Sequence, residues 1–134
     1  FISHHHVDHN ADVGPLMIAT WMFGNGKPVA MFGPEGTAHL VRGLAAANEP
    51  TELAFFPIAG RQGPALSSAF RATDLPSRMN DPRLVYEDAN VRVSAISVDH
   101  YQVAPSVPIE KVPQAVAYRV ETKGQTYAYS GDTG

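Results

Sequence analysis

The chain has 134 residues, enough for a single domain, and 44% of them are hydrophobic, which is sufficient to build a core. The net charge is −3, so no overall basic field would attract nucleic acid. Cysteine is absent, which excludes disulfides and thiolate metal sites. No apolar run reaches the roughly 18 residues that a membrane span requires. We therefore expect a soluble protein of the cytoplasm or the periplasm that binds no membrane.

The first nine residues contain the pattern H-x-H-x-D-H, formed by His4, His6, Asp8 and His9. Alternate side chains of an extended segment point the same way, so His4 and His6 can converge on one ion while His5 faces elsewhere. A helix that begins directly afterwards would carry Asp8 and His9 to the same place. Imidazole and carboxylate groups suit zinc and its neighbours. An expression tag or a solvated histidine run would not normally be followed by Asp-His and an apolar helical pattern. The pattern predicts two adjacent metal sites.

The first half of the chain predicts alternating helices and strands. Apolar periodicity predicts a helix from Ala11 to Phe23 and a buried strand from Pro28 to Phe32. A second helix is predicted from Thr37 to Ala47, and a further strand from Glu52 to Ile58. His39 on the second helix is interpreted as a surface or packing residue, because no other ligand lies at metal spacing around it.

The segment from Ala59 to Pro82 is predicted to be irregular, because it contains two glycines and three prolines. A long irregular segment in a compact domain is either functional or mobile. Its arginines at positions 61, 71 and 78 could bind an anionic substrate, although solvated loop charges are the commoner case.

The last third predicts an antiparallel meander of four strands, at residues 83–87, 91–98, 114–121 and 125–129. Helices follow strands early and the meander comes late, which favours a mixed α/β layered domain. His100 and Asp132 each follow one of these strands, in loops of the kind where rigid scaffolds present ligands. Together with the opening motif, both are predicted to be metal ligands.

The metal motifs resemble those of the metallo-β-lactamase-fold hydrolase superfamily: His4-x-His6-x-Asp8-His9, a strand-end His100, and Ser130-Gly131-Asp132-Thr133. Two further features resemble the branch that holds tRNase Z and its arylsulfatase-like and phosphodiesterase relatives. These are Gly33-Pro34-x-Gly36 and the strand Ala117 to Val120. The resemblance implies an α/β fold, an αββα sandwich, of which residues 1–134 would be a single partial domain. The family's first strands and its C-terminal part would be missing.

The resemblance also implies a ligand set. His4, His6 and His100 would hold one zinc ion, Asp8 and His9 a second, and Asp132 would bridge them. Manganese or iron are alternative metals. Two such ions, about 3.5–4 Å apart, share a water that becomes hydroxide near neutral pH. Asp8 would orient this nucleophile and accept its proton. Asp99 would either support His100 through a hydrogen bond or be a solvated turn residue.

The expected function is hydrolysis of a phosphodiester or related ester, on a small-molecule or nucleotide substrate. The sequence disfavours tRNA as a partner, because only 31 residues separate His100 from Asp132, too few for the long tRNA-binding arm of the tRNase Z enzymes. Hydrolysis of carboxylic or sulfate esters or lactones stays open. So does a non-catalytic fragment or subunit that needs the missing segments. The resemblance further implies a homodimer.

Overall fold

The computed structural model describes residues 1–59 and 64–134. Its helices are α1 (Val7–Asn10), α2 (Val13–Phe23), α3 (Thr37–Ala47) and α4 (Glu49–Ala59). Its strands are β1 (Val29–Gly33), β2 (Phe70–Asp74), β3 (Arg83–Glu87), β4 (Val91–Val98), β5 (Ala115–Thr122) and β6 (Gln125–Tyr129). Single 3-10 turns lie at Leu66–Ser68 and Ile109–Lys111. No helix in these described ranges is both long and apolar enough to cross a bilayer.

The strands form two sheets, a parallel pair β1-β2 and an antiparallel sheet in the order β3-β4-β5-β6. The first residues of the chain run between the two sheets. The amide of Ile2 donates to the carbonyl of Phe32 on β1 at 2.8 Å, and the amide of Val116 on β5 donates to the carbonyl of Ser3 at 2.9 Å. The segment that carries the histidine motif is therefore attached to both sheets.

Two apolar cores separate three layers. The first core packs helices α2 and α3 on the parallel pair and includes Met17, Val41 and Phe70. The second core lies on the inner face of the antiparallel sheet and includes Val93 and Val116. Residues two apart on a strand face the same side, so one face of β4 and of β5 supplies this second core. The layering is that of the mixed α/β domain which the sequence predicts.

Most predicted elements are confirmed. The helix Thr37–Ala47 and the strands 83–87, 91–98 and 125–129 have the predicted bounds, and three other elements differ by one or two residues at one or both ends. The strand predicted from Glu52 to Ile58 is wrong, because these residues belong to helix α4. Acidic residues at Glu49 and Glu52 favour the first turn of a helix, and Pro50 is tolerated there. Leu53 is 63% exposed, so the apolar run is not a buried strand.

Strand β2 lies inside the segment that the sequence predicts to be irregular. It pairs in parallel with β1, with Val29 opposite Phe70 and Gly33 opposite Asp74. Only Phe70 at its start is buried, so the strand shows no alternating apolar pattern. Arg71 lies on this strand, whereas Arg61 lies outside the described residues.

Candidate metal centre

Three imidazole rings converge from two distant parts of the chain. His4 is fully buried, and its Nε2 lies 3.1 Å from Nδ1 of His6. The same Nδ1 lies 3.1 Å from Nε2 of His100, which follows β4. The backbone at His6 is extended, with φ −67° and ψ 148°, so His4 and His6 point to one side as the alternating pattern predicts.

Helix α1 brings His9 to the same place. The Nε2 atom of His9 lies 3.4 Å from Oδ2 of Asp132 and 3.5 Å from Oδ2 of Asp8. The rings of His4 and His9 have centroids 4.1 Å apart. Asp132 reaches this point from the loop that follows β6, as the sequence predicts.

Two overlapping groups of ligand atoms result. In the described residues, the nitrogen atoms of His4, His6 and His100 all lie within 4.8 Å of one another, and so do the ligand atoms of His4, His9 and Asp132. Five of the six predicted ligands therefore fall within these groups. Asp8 contacts His9 but lies outside both groups, with a carboxylate that is 75% exposed. We call the six residues the ligand cluster.

The geometry and chemistry of the cluster fit a metal ion of the zinc type. Nδ1 of His6 faces two other imidazole nitrogens, and a single ring nitrogen cannot form a good hydrogen bond with both. A cation would satisfy these converging lone pairs together. Burial lowers the pKa of His4, and the nearby His9 and His100 lower it further, which favours the neutral ring that binds metals.

His5 points away from the cluster, as the sequence predicts for a spacer. Its ring lies 3.4 Å from the hydroxyl of Thr37 and 3.4 Å from the side-chain amide of Asn10. A side chain at Gly36, which has a φ of +102°, would place its Cβ 3.4 Å from this ring. The Gly-Pro-x-Gly feature therefore turns the chain into α3 and leaves room for His5.

Two supporting residues have no counterpart among the predictions. The hydroxyl of Ser3 lies 3.1 Å from Nδ1 of His4, on the side of the ring opposite the cluster. Tyr101 places its ring centroid 5.1 Å from those of His6 and His100. In the sequence, a small polar residue next to a ligand is only a weak signal of a supporting role. An aromatic residue after His100 gives no such signal until the fold is known.

The two loops that carry His100 and Asp132 are joined through a backbone atom. The carbonyl of Asp99 accepts hydrogen bonds from the hydroxyl of Thr133 at 3.3 Å and from the amide of Gly134 at 3.2 Å. The contacts described for Asp99 are therefore made by its backbone, and a role for its carboxylate toward His100 stays a prediction.

Comparisons with known proteins point to one fold. No family model matches the sequence. The chain is 29% identical to ribonuclease Z of Mycolicibacterium paratuberculosis (strain ATCC BAA-968 / K-10), over 135 residues that cover 98% of this chain and 42% of that protein. It is 28% identical to ribonuclease Z of Mycobacterium avium (strain 104), with the same coverage. The crystal structure of the short form of human tRNase Z matches 98% of this chain and 48% of that chain, with a TM-score of 0.55 and 15% identity.

The chain has the metallo-β-lactamase fold and is similar over nearly its whole length to ribonuclease Z proteins. The predicted resemblance and the predicted fold class are confirmed. At 15% identity the human structure supports the metallo-β-lactamase fold alone. The chain spans less than half the length of the curated relatives that it matches.

The expectation that disfavours tRNA is wrong. The two relatives carry the name ribonuclease Z, and the structural neighbour is named a tRNase Z. The alignment to the first relative runs over 135 residues, so it leaves no room for a long arm between the positions of His100 and Asp132. The short spacing between His100 and Asp132 is thus compatible with similarity to ribonuclease Z. An overall charge of −3 does not exclude tRNA as a partner either.

Proposed function

We propose that the protein is a metal-dependent hydrolase that cleaves phosphodiester bonds in RNA, with tRNA precursors among its substrates. The convergence of two ligand groups that share His4 is the observation that carries the proposal. The names of the relatives support RNA as the substrate class. A bound pair of ions would supply Lewis acidity and a hydroxide near neutral pH. Zinc is the proposed metal, and manganese or iron are the alternatives.

Each residue of the cluster has a proposed role. His4, His6 and His100 would hold one ion, because their nitrogen atoms form one compact group. Asp8 and His9 would hold the second ion, and Asp132 would contact both. The 3.4 Å approach of Asp132 to His9, and its place in a group with His4, support this bridging role. The resemblance implies one more ligand, which would come from outside residues 1–134.

Asp8 is the proposed proton acceptor. Its carboxylate contacts His9 yet is 75% exposed, so an attacking water could reach it from solvent. A carboxylate within hydrogen-bond reach of a nucleophile can orient it and take its proton. An open cleft of about 820 Å³, lined in part by His6, His100 and Asp132, provides the space for substrate. A homodimer stays a prediction.

Metal analysis combined with a cleavage assay tests the proposal. The full-length protein should contain about two equivalents of metal and cleave a ribodinucleotide. The double variant His4→Ala/His6→Ala should lose most of the bound metal and cleavage. His39→Ala is the matched control, because His39 is exposed on α3 outside both groups. Full cleavage by the double variant, or a metal-free active protein, would show that the proposal is wrong.

A further inference from the structure

Arg78 lies between two clefts that open beside the ligand cluster. One cleft, of about 500 Å³, is lined by Arg78 and Met79 on one side and by His100 on the other. The second, of about 520 Å³, is lined by Arg78 and reaches His5. Each cleft thus connects Arg78 with the segment or loop that supplies metal ligands.

The loop that carries Arg78 is fixed to the antiparallel sheet. The amide of Met79 donates to the hydroxyl of Ser97 at 2.9 Å, and the amide of Ser97 donates to the carbonyl of Met79 at 3.0 Å. The side-chain amide of Gln114 donates to the carbonyl of Pro76 at 2.9 Å. Arg78 is therefore positioned by a rigid support, which lowers the entropic cost of binding a ligand.

Most N–H donors of the Arg78 guanidinium group form no hydrogen bond within the described residues. Its Nη2 donates to the carbonyl of Ile109 at 3.1 Å, which is the hydrogen bond it makes within the described residues. A guanidinium carries five N–H donors, so several are open to a ligand. No ion pair with a carboxylate is formed by Arg78 in the described part of the chain. Arginine with free donors matches the oxygen atoms of phosphate.

The surrounding charges are mixed. Lys111 lines the second cleft together with Glu35 and Glu110, and Asp99 lines the first. A general positive field is therefore not the basis of recognition. Recognition of a phosphate would instead depend on directional hydrogen bonds from Arg78.

We propose that Arg78 binds a phosphate of the substrate other than the one at the metals, and so selects a nucleotide chain over a single ester. The inference rests on the proposed function and deepens it. In the described structure Arg78 forms no hydrogen bond or ion pair with the six cluster residues, yet it lines a cleft that runs to His100. RNA carries a phosphate on every nucleotide, so a bound chain would present a second anion along such a cleft.

Dinucleotides with and without a terminal phosphate test this role. The full-length protein is assayed on UpU and on the same dinucleotide with an added 5′ or 3′ phosphate. We expect one phosphorylated form to be cleaved about tenfold more efficiently, in kcat/KM, than UpU, as a charge-assisted hydrogen bond allows. Arg78→Gln should remove this preference and leave UpU cleavage unchanged. Arg78→Lys, which keeps the charge, should retain part of it.

The control and the contrary outcomes are defined by the same assay. Arg71→Gln, at an exposed position on β2 that lines neither cleft, should keep the full preference. A preference that persists in Arg78→Gln, or the lack of any preference in the unaltered protein, overturns the proposal. If the unaltered protein cleaves no dinucleotide, the proposed function fails separately. In that case the role of Arg78 is tested by calorimetry with uridine 5′-monophosphate. Arg78→Gln should weaken the binding of this nucleotide at least fivefold. Equal affinity of the two proteins overturns the proposal.

Discussion

The hydroxyl of Ser3 lies 3.1 Å from Nδ1 of His4, and both side chains are buried. When the Nδ1 proton is donated to Ser3, the lone pair of Nε2 is directed toward His6 and the rest of the ligand cluster. The carbonyl of Ser3 also accepts the amide of Val116, so the residue is held by the antiparallel sheet. Ser3 thereby connects the orientation of a proposed ligand to the fold.

Replacing Ser3 with alanine should weaken metal binding without removing any ligand. Loss of a hydrogen bond to a ligating histidine typically lowers metal affinity by about 10–100-fold. Competition with a chromogenic chelator measures the affinity directly. Ser67→Ala is a suitable control, because Ser67 is exposed in a turn remote from the cluster. An affinity in Ser3→Ala equal to that of the control would show that Ser3 does not orient His4.

Gly131→Ala should destabilise the protein more than Gly124→Ala. Both glycines have positive φ angles, +60° and +94°, so both substitutions incur backbone strain of about 1–2 kcal/mol. A Cβ at Gly131 would also lie 2.8 Å from Cβ of Ser3, whereas one at Gly124 meets nothing within 4 Å. The overlap adds about 1–3 kcal/mol. Urea unfolding of both variants measures the difference, and equal losses would contradict the predicted overlap.

The candidate ligands could be proposed from sequence, because metal chemistry restricts ligands to a few residue types. His4, His6 and His9 lie in one short motif, and His100 and Asp132 are recognisable by their positions after strands. The contacts that hold these candidate ligands in place could not be proposed in the same way. Ser3 supports His4 only because a distant strand and Gly131 surround it. The spacing of residues along the sequence does not predict such a long-range contact.

The two errors in the predicted elements have separate physical causes. Strand β2 is defined by its parallel pairing with β1, and its exposed residues lack an apolar alternation. Helix α4 contains an apolar run that is also compatible with a strand, so the acidic first turn was the better local signal. For β2 a tertiary contact decides between the local alternatives, whereas for α4 a local signal was available.

Asp74→Ala should destabilise the start of helix α3. The Oδ1 atom of Asp74, at the end of β2, accepts a hydrogen bond of 2.8 Å from the amide of Ala38 in the first turn of α3. Removal of a side-chain acceptor at a helix N-terminus costs about 0.5–2 kcal/mol. Asp74→Asn keeps an acceptor oxygen and should lose less. Thermal unfolding compares the two, and identical melting temperatures would exclude this capping role.

Tyr118→Phe should loosen the segment that carries the histidine motif. The hydroxyl of Tyr118, a buried residue on β5, donates a hydrogen bond of 2.6 Å to the carbonyl of Ile2. Its removal leaves a buried carbonyl without this donor, at a cost of about 1–3 kcal/mol. Chemical unfolding measures the loss, with Tyr129→Phe as the control because Tyr129 is 54% exposed. Equal stability of the two variants would contradict the predicted role of the hydrogen bond.

The same tyrosine predicts a sensitivity to alkaline pH. Burial raises the pKa of Tyr118 above the ordinary value of 10.0 that it regains on unfolding. The folded state therefore keeps the proton where the unfolded state releases it, so this contribution to stability is complete below pH 10 and is lost as the pH rises further. The free energy of unfolding should fall more steeply above pH 10 in the unaltered protein than in Tyr118→Phe. Parallel curves for the two proteins would exclude Tyr118 as the titrating group.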